Sequence, residues 1–141
     1  MKKKFVFLEG IATADAAFEA YGTTIDELFQ NAALALTTIQ IELTSLKTTL
    51  KKEITLKENN EEKLLFAFLE ELIFLKDTEL FLPKKCTVLI NKNFALRAVC
   101  KGETIDYERH TLGVDAKAVT YHQFEVKKEK KQWKCRVVID I

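Results

Sequence analysis

The residues suited to chemistry in this chain are two histidines, three cysteines and a scatter of carboxylates and lysines. His110 and His122 have no Cys or His at ligand spacing, and Cys86, Cys100 and Cys135 form no CxxC, so zinc-ligand spacing is missing. A Cys–His nucleophile pair would need the fold to join distant residues; buried free thiols are the plainer reading. No Gly-rich phosphate loop, HExxH, GxSxG or EF-hand spacing occurs. Asp15, Asp140 and the carboxylate of Ile141 are oxygen donors. Read singly, Asp15 caps a turn and Asp140 is a solvated end. Brought together, three negative charges repel unless a cation lies between them or some are protonated. Such hard donors suit Ca²⁺, Mg²⁺ or Mn²⁺, not Zn²⁺. Lys117 sits in an apolar, alternating stretch, where a lysine must reach solvent or find a partner. On a regular strand Thr120 and His122 share one face and Tyr121 takes the other. The run Lys127–Lys134 sets cations beside Trp133, a mixture that either binds nucleic-acid phosphate or forms a solvated hairpin tip.

These groups must be positioned by the surrounding elements. Phe5 to Glu9 reads as a strand buried on both faces, and Ala17 to Tyr21 as a second strand ended by Gly22. Thr24 caps a helix, with Glu27 completing a capping box and Ile25, Leu28, Phe29, Ala32, Leu36 and Ile39 on one face. The stretch from Leu46 to Lys57 reads as a strand. Asn59 is a candidate cap for a second helix running to about Lys76. Its apolar surface exceeds one stripe, so either it is covered on two sides or it keeps a face for a partner.

Beyond Pro83 the pattern is β-structure: Thr87 to Ile90, Phe94 to Lys101, Val114 to Val126 and Gln132 to Ile141. Asn91–Asn93 and Lys127–Lys131 read as turns, and His110 as a turn or cap residue. The order β-β-α-β-α-β-β-β-β argues an α+β domain with a largely antiparallel sheet, over residues 1–141 as one domain.

Composition bounds the class. A chain of 141 residues with 48% hydrophobic and 30% charged residues has enough for one core. With 22 basic against 21 acidic residues the net charge is +1, which disfavours capture of nucleic acid by a whole-protein field. Lys2–Lys4 is followed by Glu9 and Asp15 and no long apolar run, so no signal peptide or membrane span is expected. An odd number of dispersed cysteines fits a reducing compartment, and a cytoplasmic location is expected.

Four blocks taken together carry a resemblance. They are Ala14-Asp15-Ala16-Ala17-Phe18-Glu19-Ala20-Tyr21-Gly22 running on to Ala33, and Leu69-Glu70-Glu71-Leu72 through Glu79. Gly102-Glu103 through Arg109-His110 leads into Lys117-Ala118-Val119-Thr120-Tyr121-His122, and the last block is Arg136-Val137-Val138-Ile139-Asp140-Ile141. In this order they resemble the archease family along essentially the whole chain. The resemblance implies a partner protein of an RtcB-type RNA-splicing ligase, which joins RNA ends using GTP and divalent metal through a guanylylated histidine of its own. It implies an activator, not an enzyme, that promotes the ligase's guanylylation and multiple turnover. RNA or tRNA would be met only through the ligase, and no membrane is involved. It assigns a divalent metal (Ca²⁺, Mg²⁺ or Mn²⁺) to Asp15, Asp140 and Ile141, to Lys117 the role of a functional cation near the carboxylates or at the ligase interface, and partner-binding roles to Thr120, Tyr121 and His122. Read as a residue, His122 could ligate metal, contact the partner or hydrogen-bond structurally. The family usually carries His-Thr-Ala-Asp after the first strand; here Glu9 to Asp15 is longer and lacks the histidine. From the residues alone, a metal-dependent phosphoesterase and a metal-free interaction module stay open beside the activator reading.

Overall fold

The structure is a computed structural model and describes residues 3–9 and 15–141. Lys2 and the segment between Glu9 and Asp15, where the family histidine is expected, lie outside the described residues. In chain order the elements are β1 (Phe5–Leu8), β2 (Asp15–Gly22), α1 (Ile25–Gln40), β3 (Leu50–Lys57), α2 (Glu61–Glu79), β4 (Phe81–Ile90), β5 (Ala95–Thr104), β6 (Ala118–Glu129) and β7 (Gln132–Asp140). This is the expected order and an α+β fold. All pairings are antiparallel: one sheet runs β1-β2-β7-β6, the other β3-β5-β4.

Both helices start where a short polar side chain takes up a free amide. Thr24 Oγ1 accepts from Glu27 N at 3.1 Å, and Glu27 Oε1 reaches back to Thr23 N at 2.8 Å, one residue earlier than in a regular capping box. Asn60, not Asn59, caps α2, its Oδ1 accepting from Lys63 N at 2.9 Å. That places Glu61 and Glu62 in the first turn, where the positive end of the helix dipole favours them. Leu80 ends α2 in the left-handed conformation, its N–H closing on the carbonyls of Leu75 and Lys76.

One core spans both sheets. Phe18 of β2, Phe29 of α1, Phe68 of α2 and Phe81 of β4 are fully buried in it. Burying such a side chain is worth about 2–3 kcal/mol. Phe29 and Phe68 stack with ring centroids 5.8 Å apart, which joins the two helices. Helix α1 packs on β2 and β4, and α2 lies against β6, β4 and β3, so α2 is covered on more than one side.

Several strand limits differ from the sequence reading, each for a local reason. β1 is an edge strand, half-buried rather than buried on both faces, and Phe7 is 47% exposed. Leu43–Ser45 forms a 3-10 turn, and β3 begins only at Leu50. Leu46 is instead buried with Ile41 and Leu82 in a satellite cluster. Pro83 does not stop the chain: β4 runs from Phe81, and Pro83 sits at a register shift on this edge strand, where its missing N–H costs no ladder bond. Opposite it, Gly102 is required by close approach, since a Cβ there would lie 1.9 Å from the carbonyl oxygen of Leu82. β6 starts at Ala118, leaving Val114–Lys117 outside the strand, and continues to Glu129. The hairpin tip is only Lys130-Lys131, with Lys128 lying over the Trp133 ring.

Candidate functional site

The register of β2 against β7 sets Asp15 directly opposite Asp140. Cross-strand partners project to the same face with Cβ atoms about 5 Å apart. Two like charges in that position oppose pairing, yet here they close the ladder. Neither side chain makes a hydrogen bond or ion pair among the described residues. On the other side of β7, Ala118 of β6 pairs with Asp140, and Lys117 N donates to the Asp140 carbonyl at 2.8 Å. Lys117 is exposed, and among the described residues its ammonium forms no ion pair.

Two carboxylates without a partner among the described residues stand opposite each other, and carboxylate oxygens are donors of the class that hard divalent cations take. Among the described residues no group of three or more His, Cys, Asp or Glu side chains converges on a metal position, so side chains alone do not complete the set. His122 in particular is not gathered with the aspartates.

Both helices hold the segment that delivers Lys117. The end of α1 pairs with it through Gly113 N to Gln40 O at 2.8 Å and Val114 N to Ile39 O at 3.1 Å. Only a glycine allows this approach, since a Cβ on residue 113 would lie 2.3 Å from Ile39 O. From α2, the ammonium of Lys76 is buried against Asp115, Asp77 (2.6 Å) and the Ala116 carbonyl (2.8 Å). Burial alone would push the lysine pKa down, but the two carboxylates hold it above its ordinary value.

The motif Thr120-Tyr121-His122 does not alternate as a regular strand. Thr120 pairs with Val138 and Glu125 with Arg136, so four residues of β6 oppose Val137 alone. Thr120 Oγ1 donates to Val138 O at 3.0 Å and accepts from His122 N at 3.3 Å, turning the chain out of the ladder. Gln123 adopts a positive φ of 52° within this wide bulge. Tyr121 and His122 are therefore both displayed outward. Tyr121 is 70% exposed, with its ring stacked on Phe66 at 3.9 Å between centroids.

A buried polar cluster went unread in the sequence. Glu103 is buried and accepts from Lys47 N (2.5 Å), from Arg109 and from His110 Nε2 (3.0 Å). His110 Nδ1 accepts from Asp106 N at 2.8 Å, which places the ring proton on Nε2. His110 does close a turn as expected, but it is also a buried partner of Glu103. Burial pushes the Glu103 carboxyl up; His110, the Lys47 amide and Arg109 outweigh it and bring it down to about 2. The signal was the spacing of Glu103, Arg109 and His110 around Asp106. Cys86 and Cys100 are also brought together across β4 and β5, with sulfurs 2.7 Å apart, while Cys135 is alone. Among the described residues no hydrogen bond joins a cysteine to a histidine, and burial pushes the Cys135 thiol up to about 12.

Two antiparallel sheets joined by two helices, with an aspartate pair at one sheet end, define a small α+β domain. Residues 5–141 match the model of the Archease protein family (MTH1598/TM1083). The chain belongs to the archease family. It is similar to Protein archease of Pyrobaculum islandicum, at 38% identity over 94% of this chain and 92% of that protein. Protein archease of Methanosarcina mazei is 35% identical, over 99% and 97% of the two chains. The solution structure of Methanobacterium thermoautotrophicum protein 1598 matches with a TM-score of 0.81 at 31% identity, covering 98% of this chain and 99% of that one. A crystal structure of an archease, described as a possible chaperone, from Thermotoga maritima shares the fold at TM-score 0.67 and 23% identity, covering 92% and 93%.

Proposed function

We propose that this protein is a non-enzymatic activator of an RtcB-type RNA ligase, promoting the GTP-dependent guanylylation of that ligase and its multiple turnover. The observation that carries the reading is the aspartate pair: Asp15 and Asp140 stand opposite each other, unpaired, beside the exposed Lys117. Membership in the archease family supports it. A divalent cation (Ca²⁺, Mg²⁺ or Mn²⁺) held by Asp15, Asp140 and the carboxylate of Ile141 would supply positive charge where these groups otherwise repel. Lys117 then presents a second positive charge, and Tyr121 and His122 on the bulge offer contacts to the partner protein. Thr120 acts behind them by holding the bulge in shape. RNA and GTP belong to the ligase in this reading, and the site works in the cytoplasm. An activator shifts its partner only by its difference in affinity for two states, so it must bind the guanylylation-competent ligase more tightly than the resting one.

The test is guanylylation of the ligase with radiolabelled GTP, alongside calorimetric titration of the activator with Ca²⁺ and Mg²⁺. Asp15→Ala is expected to weaken cation binding and stimulation together, and Lys117→Ala to reduce stimulation with less effect on the cation. Full stimulation by Asp15→Ala would rule out the metal site. Label found covalently on this protein would replace the activator reading with an enzymatic one.

A further inference from the structure

The two sheets leave a groove on the α2 side, about 510 Å³ in volume, between the edge strands β3 and β6. Residues Ala67, Phe74 and Asp77 recur along α2 at helical spacing and form one wall. Leu56 of β3 lines the opposite side, and the groove ends at Lys117-Ala118-Val119, next to the aspartate pair. Phe74 is 57% exposed here, although Leu72, Ile73 and Leu75 beside it on the helix are buried. The charges in the groove are separated along it: acidic on α2, with Lys117 as the one cation of the lining, at the far end. Glu70 and Glu71 line it without an ion-pair partner among the described residues, whereas Asp77 is engaged by Lys76.

We infer that this groove is the docking surface for a segment of the ligase that carries lysine or arginine next to an apolar side chain, the cations meeting Glu70 and Glu71 and the apolar group covering Phe74. The inference rests on the activator reading and names where the partner is held. Charge decides the class of occupant. Nucleic-acid phosphate and anionic lipid headgroups are repelled by Glu70 and Glu71, while a basic segment is drawn to them and held with its cations away from the Lys117 end. An exposed aromatic at the centre of such a surface is the type of residue on which binding energy concentrates. The location explains its use: a segment seated here extends to Lys117 and reaches the aspartate pair with no further chain.

The test uses full-length wild-type protein and the ligase encoded in the same genome, with affinity measured by calorimetry at low and moderate salt. The double variant Glu70→Lys/Glu71→Lys is expected to weaken binding at least tenfold and to flatten its salt dependence. Phe74→Ala is expected to weaken binding about tenfold at both salts. Glu129→Lys on the distant hairpin is expected to leave affinity within twofold. Thermal melts check that each variant is folded. Wild-type affinity in both groove variants would overturn the inference and leave the activator reading standing. Equal weakening by Glu129→Lys would overturn it in favour of a general field. Self-association of this chain that the groove variants abolish, with ligase binding intact, would assign the groove to a second copy instead. No binding of wild type to the ligase would remove both readings.

Discussion

The two helices close the two open sides of the sheet pair by different means. On the α1 side, polar residues spaced along one helix face bond the free edge of β4. Asp26 accepts from Ile90 N at 3.0 Å, Gln30 accepts from Val88 N at 3.0 Å, and Thr37 donates to Pro83 O at 2.8 Å. An edge strand that would otherwise invite another chain is thereby occupied from within. The closure continues at Glu103, which pairs with Leu82 at the start of β4 and gathers Lys47, Arg109 and His110. On the α2 side no side chain of the helix bonds the backbone of β3 or β6 among the described residues. Phe74 and two glutamates without a partner among the described residues face a groove instead. The α1 side spends its polar groups on the backbone of β4, whereas α2 reaches its neighbours through ion pairs, Glu79 with Lys52 of β3 and Lys76 with Asp115, and leaves Glu70 and Glu71 without a partner among the described residues.

That contrast is open to measurement, beginning with the residue that serves both sides. Phe68→Ala removes the helix–helix stack at its centre and is expected to cost about 3–5 kcal/mol in urea unfolding. The Glu103 cluster comes next. Its carboxyl titrates at about 2 in the folded protein and near 4.3, roughly, in the unfolded chain. Its contribution is therefore complete above about pH 5 and is lost as pH falls toward 2. Glu103→Gln should show a flatter stability profile than wild type across that window, by on the order of 2 kcal/mol. The smallest effects separate the two sides directly. Gln30→Ala leaves the Val88 amide without its acceptor and should cost about 1–2 kcal/mol, with faster hydrogen exchange at Val88. Phe74→Ala on the open side should change stability by less than about 0.5 kcal/mol. Equal costs at Gln30 and Phe74 would erase the distinction.

Much of this was legible before the structure. Element order and both helices follow from period and caps, because Thr24 and the run from Leu64 to Leu75 carry strong local signals. The carboxylates and the Lys117–His122 block were visible as residues, but what joins them was not. Register between Asp15 and Asp140 depends on pairing across the chain, which no local pattern encodes. The wide bulge was hidden because Thr120 to Phe124 reads as ordinary strand by composition, and its turn comes from one threonine hydroxyl. The shift from Asn59 to Asn60 was a choice between two adjacent residues of equal capping strength. Polar residues inside α1 gave no warning of their role, since Asp26 and Gln30 look like solvent-facing positions until β4 lies beside them.

The pairing of Asp15 with Asp140 also has a meaning for synthesis. The two residues are 125 positions apart, and β2 meets β7 only along that span. A nascent chain that has completed both helices and the three-stranded sheet still lacks the second aspartate, the backbone carbonyl that receives Lys117, and half of the other sheet. Pairing across so long a span is a non-local contact, of the kind that slows folding. A product of interrupted translation is thus left without the carboxylate pair, so that only a chain read through Asp140 carries it.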